Sequence, residues 1–235
     1  MDNQSDQYDS DFLQITHYRK YPEMLPWIGA NYSKQPTRIL IFGESHYLDR
    51  NSVYHHDVEQ WYTGIDMHGR KDASWIKTRG TIGNGIETKW KKRSKSIYRN
   101  IESALFSSKT VNKELFTAFT EIAFMNFFQR PAETTGDSIK VSPQDVLVAI
   151  QVSEQVVESI RPDLVIFTSS LAFKHAKSGG LLNTLANQNI SFTRTPHPGS
   201  AWWNRVSRKY NNKTGKDHFI SFINEVANDQ STPAT

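Results

Sequence analysis

The chain contains no cysteine among its 235 residues. This absence excludes disulfide bonds, a cysteine nucleophile, thiolate zinc sites and a cysteine-ligated iron–sulfur cluster. Any catalysis must therefore use carboxylates, histidines, hydroxyl groups or the backbone.

Long apolar runs are also missing. No stretch of about 18 apolar residues is available to cross a bilayer, and the first ten residues, M-D-N-Q-S-D-Q-Y-D-S, are polar and acidic where a signal peptide would be basic and then apolar. We expect a monomeric, cytoplasmic protein without a membrane partner, in which residues 1–235 form a single domain. Residues 1–10 and 228–235 are expected to be disordered.

Positive charge exceeds negative charge only slightly, but the basic residues are unevenly distributed along the chain. The net charge is +4, from 28 Lys and Arg against 24 Asp and Glu. Residues 89–99 hold six basic residues and no acidic one, and a second basic cluster lies within 194–216. Both clusters contain aromatic residues: Trp90, Tyr98, Trp202, Trp203 and Tyr210. This combination is typical of nucleic-acid binding, and a solvated basic surface is the alternative.

Short apolar runs alternate with helical patterns along the chain. Strands are predicted at 38–43, 123–127, 164–168 and 190–195, and helices at 94–107, 113–123, 142–160, 171–177, after Gly180 and at 217–226. Strands separated by helices predict an α/β fold, namely a three-layer α/β/α sandwich around a central four-stranded parallel sheet.

Polar residues follow each of the four predicted strands. They are Gly43 to Tyr47 (G-E-S-H-Y), Asn126, Ser169 with Ser170, and His197 between two prolines. Because ligands bind at the carboxyl ends of parallel strands, we expect these groups to meet at one edge of the sheet.

These motifs resemble those of the uracil-DNA glycosylase superfamily. In its best-known branch the first strand ends in G-Q-D-P-Y-H, a segment like P-S-L-K-N-I-Y-K-E-L follows, the second strand ends in L-L-L-N, and the fourth runs into H-P-S-P. This chain has G-E-S-H-Y at 43–47, S-K-S-I-Y-R-N-I at 94–101, F-M-N at 124–126 and H-P-G-S at 197–200, in the same order. The segment R-P-D-L-V-I-F-T-S-S-L-A is also similar to the family's third strand and turn.

The resemblance implies roles for individual residues. His197 corresponds to the donor to the base carbonyl, and Asn126 to the residue that reads the base edge, a task that suits an amide because it both donates and accepts. Phe127 or Phe128 would stack on the extruded base, with a place in the core as the alternative. The other substrate contacts are expected from Gly43, Ser45, His46, Tyr47 and Ser169.

The first motif departs from the best-known branch at the water-activating position. Ser45 stands where that branch has aspartate, whereas the thermophilic and iron–sulfur branch has G-E-A-P-G, with an acid at the position of Glu44. Glu44 is therefore the candidate to activate water; capping a helix or pairing with an arginine is the alternative. Without cysteine, the chain is a divergent member with no iron–sulfur cluster.

Two further departures concern the substrate. Residues 48–93 form a longer segment than in the best-known branch, and we expect a long loop or insertion over the pocket. It contains His55, His56 and His68, but no spacing like H-E-x-x-H, so we expect neither metal nor cofactor. The second departure is Trp202 and Trp203, where related enzymes have a leucine-like wedge; we expect one of them to reach DNA and the other to pack in the core.

DNA is the expected partner. Contacts are assigned to Lys92, Arg93, Ser94, Ser96, Ser200, Trp202, Trp203 and Arg205. The function expected is a monofunctional DNA glycosylase that flips a uracil-like or modified pyrimidine out of DNA and hydrolyses its glycosidic bond, in base-excision repair or in defence against phage with modified DNA.

Two other classes stay open. The same fold can belong to a catalytically inactive nucleic-acid-binding protein. An unrelated hydrolase with Ser45 as nucleophile is the third reading, although Tyr47 occupies the second glycine position of the G-x-S-x-G elbow.

Overall fold

Five strands form one sheet in the computed structural model, which describes residues 3–231. The strands are β1 (Trp27–Ile28), β2 (Ile39–Gly43), β3 (Ile122–Asn126), β4 (Leu164–Phe167) and β5 (Ser191–Arg194), in the order β1-β3-β2-β4-β5. Strands β2 to β5 are parallel, as predicted, but β1 pairs with β3 in the antiparallel direction. The chain is thus an α/β protein with a mixed five-stranded sheet, and the prediction of four strands, all parallel, is wrong. Strand β1 was not predicted because it has only two residues, between Pro26 and Gly29, and is too short to show an alternating pattern.

The sheet separates two clusters of buried apolar residues. Every residue of β2, β3 and β4 is buried, as expected for parallel strands covered on both faces. Leu40 and Phe42 belong to one cluster, whereas Ile39 and Ile41 belong to the other, because successive side chains of a strand point to opposite faces. Helices therefore pack against both faces of the sheet.

Nine α-helices surround the sheet within residues 3–231. They are α1 (Asp9–Phe12), α2 (Thr16–Lys20), α3 (Val58–Thr63), α4 (Thr78–Glu87), α5 (Ser96–Ser107), α6 (Pro143–Ile160), α7 (Ser170–Ser178), α8 (Leu181–Asn187) and α9 (Gly215–Ser231). In the part of the chain so described, no helix is long and apolar enough to cross a bilayer.

Helix α6 begins where the sequence predicts. Ser142 is the N-cap, its hydroxyl accepts from the backbone N–H of Asp145, and the Asp145 carboxylate accepts from the backbone N–H of Ser142. This reciprocal pair is a capping box, with Pro143 at the first helical position. The prediction of a helix at 113–123 is wrong, because only Ala118–Thr120 form a short 3-10 turn there.

All three segments expected to be disordered or a loop contain regular structure in the part of the chain that the structure describes. Residue Gln4 pairs with Gly29, and Asp9 forms an ion pair with Arg79 at 2.5 Å, so the prediction of disorder is wrong for 3–10. At the other end, 228–231 lie in α9, and 232–235 fall outside the described residues. Residues 48–93 contain α3 and α4 and bury Trp61 and Ile82, so the segment is not a loop, and the alternative of an insertion stays a prediction.

A buried ion cluster fixes the chain between β3 and α6. Arg130 is fully buried, and its Nε and Nη2 donate to the two carboxylate oxygens of Asp145, each at 2.9 Å. Its remaining N–H groups donate to the Glu133 carboxylate and to the carbonyls of His55 and Lys140, at 2.7 to 3.0 Å. All five guanidinium donors are used.

The acidic partners of Arg130 are also satisfied. Tyr62 donates its hydroxyl to Asp145 at 2.8 Å, and the Ser142 backbone N–H donates at 2.8 Å. Burial alone would raise the pKa of Asp145, but the hydrogen bonds from Arg130, Ser142 and Tyr62 lower it overall. We call Tyr62, Arg130, Glu133, Ser142 and Asp145 the Arg130 cluster.

Candidate active site

A cleft of about 790 Å³ opens at the carboxyl ends of the parallel strands. It receives residues that follow β2, β3, β4 and β5, together with residues from α4, from the start of α5 and from the loop 134–138. The predicted site residues along its wall are Gly43, Glu44, Ser45, His46, Tyr47, Asn126 and His197. The expectation that polar groups at the ends of separate strands meet at one sheet edge is confirmed for three of the four groups, whereas Ser169 and Ser170 do not line the cleft.

Gly43 leaves the space that the Asn126 side chain occupies. The two residues are partners in the β2–β3 register. A Cβ atom on Gly43 would lie 2.3 Å from Asn126 Oδ1 and 2.9 Å from Phe124 Cζ, both closer than real contacts allow. A glycine at this strand end is therefore required by packing, not by backbone conformation.

The Asn126 side chain lines the cleft without a protein partner. The residue is buried, and within residues 3–231 its side-chain amide makes no hydrogen bond. Only its backbone carbonyl has a partner among the side chains, since it accepts from the Gln129 amide. A buried polar group normally has a partner, so an unpartnered amide on a cleft wall marks a position for a ligand or water.

The loop that carries His197 is fixed from three directions. Pro196 packs against Gly215, where a Cβ would lie 2.3 Å from the proline Cγ. Asn100 on α5 donates its side-chain amide to the Pro198 carbonyl at 2.7 Å. Thr195 donates its backbone N–H to the Phe167 carbonyl at 2.8 Å. The imidazole is thus held before any ligand arrives.

A backbone hydrogen bond determines which ring nitrogen of neutral His197 carries the proton. The backbone N–H of Gly199 donates to His197 Nδ1 at 3.2 Å, so Nδ1 is an acceptor and the proton of the neutral ring resides on Nε2. Burial lowers the pKa of His197, and the negative charge of Glu44 opposes part of that shift. Near neutral pH, His197 therefore presents a neutral Nε2–H donor.

Glu44 lies at the end of β2 and contacts the residue that caps α7. Ser169 Oγ donates to Glu44 Oε2 at 2.5 Å. Ser169 does not line the cleft, so the structure brings it to Glu44 and not to the position of a substrate contact. The alternative that Glu44 pairs with an arginine is wrong for the described residues, because none of their salt bridges includes it.

The remaining residues of the first motif also lie on the cleft wall. His46 is buried and its Nε2 lies 3.2 Å from Thr78 Oγ1; burial lowers its pKa to about 4, so the ring is neutral. Burial and the nearby carboxylates of Glu44 and Asp137 raise the pKa of Tyr47. Ser45 lines the cleft beside them, half-buried.

The aromatic wall of the cleft differs from the predicted one. Phe127 and Phe128 are completely buried in the core, so the prediction that Phe127 contacts the substrate is wrong and the core alternative is correct. Phe124 and Tyr98 line the cleft instead, with ring centroids 5.4 Å apart. The signal was present in the sequence: Phe124 stands two positions before Asn126 on the same strand face, whereas Phe127 stands on the opposite one.

Part of the first basic segment borders the cleft. Lys92, Ser94 and Lys95 line it, while Arg93 and Ser96 lie alongside, at the start of α5. Within residues 3–231 no salt bridge uses a cation of 89–99. These positive charges are therefore available to an anionic partner.

The two adjacent tryptophans have different environments. Trp202 is 56% exposed, whereas Trp203 is 1% exposed and packs edge-on against Phe219. The prediction that one packs in the core is confirmed, and the DNA contact assigned to Trp203 is wrong because its ring is inaccessible. Ser200 Oγ is buried with no partner, so the DNA contact assigned to this side chain is wrong as well, whereas Arg205 is exposed.

Most other aromatic residues of the basic clusters are buried as well. Trp90 fills the space left by Gly85 and donates to Glu102, and Tyr210 packs against His218. Only Trp202 of the five is an exposed stacking surface, while Tyr98 faces the cleft.

The structure also adds residues that the sequence analysis did not assign. Trp75, 44% exposed, and Asp137 line the cleft, from the segment 48–93 and the loop 134–138. Asp137 sits next to Gly136, whose φ of +97° lies in a region that favours glycine. No short motif identifies an exposed aspartate on a loop as a cleft residue.

In the described part of the chain, no group of three or more His, Asp or Glu side chains is arranged to hold a metal ion. His55 and His56 are neighbours in a 3-10 turn, and each ring bonds to a backbone carbonyl, of Ala132 and Glu133 respectively.

Compared with known proteins, the sequence matches no protein-family model, and no curated protein is similar enough in sequence to be counted as a relative.

Proposed function

We propose that this chain is a monofunctional DNA glycosylase of uracil-DNA glycosylase-like three-layer α/β/α fold. It takes a uracil-like or modified pyrimidine out of DNA and hydrolyses the bond between base and sugar, without metal or cofactor. It acts as a cytoplasmic monomer, in base-excision repair or in defence against phage with modified DNA. The proposed family and fold are based on the sequence resemblance. The proposed chemistry is based on the groups that line the cleft.

The observation that carries the proposal is the convergence of three different chemical groups. Glu44, Asn126 and His197 stand at or just beyond the carboxyl ends of three different strands, yet all three line one cleft. The cleft volume of about 790 Å³ lies within the range of about 300–1,000 Å³ common for small-ligand sites. A carboxylate can activate water, an amide can recognise the edge of a base, and a neutral imidazole can donate to the leaving base, so together the three suit hydrolysis of an extruded nucleotide.

The reaction separates charge early. The electron pair of the glycosidic bond passes to the base, which leaves as an anion, and the sugar becomes cationic. The Nε2–H of His197 would donate to the base carbonyl oxygen, where negative charge develops, and its fixed position requires no reorganisation during the step. A neutral donor suits this task, since an imidazolium would protonate the leaving base.

Asn126 and Glu44 have complementary tasks in the proposal. The unpartnered amide of Asn126 reads the base edge with one donor and one acceptor. The Glu44 carboxylate orients the attacking water and takes its proton as the oxygen bonds to the sugar carbon. The rings of Phe124 and Tyr98 would hold the base from the side.

DNA would lie across the basic segment that borders the cleft. Lys92, Arg93, Ser94 and Ser96 would contact phosphates on one side, and the exposed Arg205 on the other. Trp202 is exposed beside the His197 loop and would fill the gap that the extruded base leaves.

The test is a base-excision assay. The protein is incubated with oligonucleotides that carry uracil, hypoxanthine, hydroxymethylcytosine or glucosylated cytosine, and abasic sites are cleaved with alkali. Strand cleavage confined to one base supports the proposal and names the substrate. No cleavage above that of the Glu44→Gln variant, with DNA binding intact, would establish the inactive nucleic-acid-binding protein instead.

A further inference from the structure

The hydroxyl of Ser169 makes two hydrogen bonds: it caps helix α7 as an acceptor and binds the Glu44 carboxylate as a donor. As the N-cap of α7, it accepts from the backbone N–H of Ala172 at 3.1 Å. Because Ala172 supplies that proton, the serine's own proton is free to donate, and it donates to Glu44 Oε2 at 2.5 Å. Donation to a charged acceptor makes this the stronger kind of hydrogen bond.

The two residues are held at fixed positions by the sheet. Thr168 donates both its backbone N–H and its hydroxyl to the Phe42 carbonyl, at 2.8 and 2.9 Å, which pins the ends of β4 and β2 together. Phe128 donates its backbone N–H to the Glu44 carbonyl at 2.9 Å. Ser169 itself is 1% exposed. The contact between Ser169 and Glu44 is therefore set by the backbone and not by a mobile surface pair.

Only one oxygen of the Glu44 carboxylate is used in this way. Among the described residues, Oε2 accepts from Ser169, and no hydrogen bond reaches Oε1, although Glu44 lines the cleft. A carboxylate with one oxygen anchored and the other unpartnered has a defined orientation towards the cleft.

We infer that Ser169 is the positioning residue for Glu44: by anchoring Oε2, it directs Oε1 to the water that attacks the sugar. This inference rests on the proposed function. It assigns to Ser169 a role that acts through Glu44, in place of the direct substrate contact expected from the sequence.

The step is balanced without a further reactant. The water oxygen bonds to C1′ of the sugar, the C1′–N bond breaks, and its electron pair leaves with the base. One proton of the water passes to Oε1 of Glu44. The hydrogen bond from Ser169 to Oε2 is unchanged throughout.

The test compares excision kinetics of the full chain, on whichever of the four modified oligonucleotides the wild-type protein cleaves fastest. We expect Ser169→Ala to lower kcat by about 10- to 100-fold, the value of a hydrogen bond to a charged group, and to leave KM unchanged. Ser169→Thr keeps both the hydroxyl and the capping preference and should restore most of kcat.

Two controls separate positioning from helix capping. Ser169→Gly removes the hydroxyl at little cost to the cap, and it should lower kcat as much as Ser169→Ala does. Ser142→Ala removes the corresponding N-cap of α6, which is remote from Glu44 in sequence and contact, and it should lower the unfolding temperature with kcat unchanged.

A double-mutant cycle decides whether Ser169 acts through Glu44. In a Glu44→Gln background, Ser169→Ala should cause no further loss of kcat. Full additivity, or wild-type kcat in the Ser169→Gly protein, would overturn the inference and leave the proposed function standing. If wild-type protein cleaves none of the oligonucleotides, both are overturned.

Discussion

The Arg130 cluster and the cleft both bring together polar side chains from separate elements of the chain, but they differ in whether the hydrogen-bonding groups have partners inside the protein. In the cluster, all five guanidinium donors of Arg130 have acceptors inside the protein. In the cleft, the Asn126 amide has no partner within residues 3–231, and the Nε2–H of His197 has none either. A satisfied polar group stabilises the fold, whereas an unsatisfied one is available to a ligand. The two regions therefore differ in whether their polar groups serve the fold or a bound molecule.

The largest effect is expected from breaking the satisfied region. Arg130→Met leaves the carboxylates of Asp145 and Glu133 buried without their cation and should lower the free energy of unfolding by about 3–5 kcal/mol. The measurement is urea denaturation. Arg38→Met is the matched control, because Arg38 pairs with Asp163 at 3.1 Å near the surface, and its loss should cost about 1 kcal/mol or less. Equal losses in the two variants would contradict the comparison.

Variants of the cleft should show the opposite pattern. We expect Asn126→Ala and His197→Ala to lower the excision rate by about 100- to 1,000-fold, since each removes a fixed donor to the base. Their unfolding free energies should change far less than that of Arg130→Met. No protein group loses a hydrogen bond to the Asn126 amide, and in His197→Ala only the solvent-exposed backbone N–H of Gly199 loses its acceptor. Both quantities are measured on the same preparations. An Asn126→Ala protein as unstable as Arg130→Met would show that the amide serves the fold.

Gly43→Ala tests whether packing sets the position of the amide. The added Cβ would meet Asn126 Oδ1 at 2.3 Å, so the amide must move, and a displacement of about 1 Å can cost about 100-fold in rate. Gly83→Ala is the control, since a Cβ at that position meets nothing within 4 Å. Excision rates are measured for both variants. An unchanged rate in Gly43→Ala would show that the reaction does not depend on the position of the Asn126 amide.

Trp202 extends the comparison to the surface. Trp202→Ala should weaken DNA binding by about 1–3 kcal/mol, the value of stacking on one base, with no loss of stability because the ring is 56% exposed. Trp202→Phe should restore part of the affinity. Fluorescence anisotropy with labelled DNA measures the dissociation constants, and equal constants for wild type and Trp202→Ala would exclude the wedge.

His17 is a third case, a buried polar ring that lines neither region. Its Nε2 has no partner, and burial, with the nearby charges of Lys20 and His46, lowers its pKa to about 3. The unfolded chain takes up this proton as the pH falls below 6.5, whereas the folded protein does not until about pH 3. Stability should therefore fall between these values, by about 1.4 kcal/mol per pH unit from this group. Unfolding of His17→Phe at several pH values should show a shallower dependence; an identical slope would contradict the assignment.

Strand ends and helix caps were the features most easily predicted. The runs around Ile39, Ile122 and Leu164 were identified as strands because buried parallel strands are short and continuously apolar. The fourth run, around Phe192, forms the half-buried edge strand β5. The start of α6 followed from Ser142 and Pro143, whose effects are local. The position of the cleft followed in turn, because the carboxyl ends of parallel strands share one edge of a sheet.

Features that depend on distant partners were missed. Strand β1 exists because Trp27 and Ile28 pair with β3, nearly a hundred positions later, and two residues carry no periodicity of their own. The Arg130 cluster contains residues from α3, from the chain after β3 and from α6, so no local sequence pattern predicts it. Phe127 was assigned to the site by proximity in sequence, whereas side-chain alternation places Phe124 there.

By itself, the sequence determined which chemical groups stand at the strand ends, namely Glu44, Asn126 and His197, because strand formation and strand termination are decided by neighbouring residues. Only the tertiary structure decided which of these groups remain without partners. The hydroxyl of Ser169 is bound to Glu44, and the amide of Asn126 is left to the cleft. Hydrogen bonding between residues far apart in the chain depends on distances and angles, and these are set by the register of the sheet. Local sequence patterns do not specify such distances and angles.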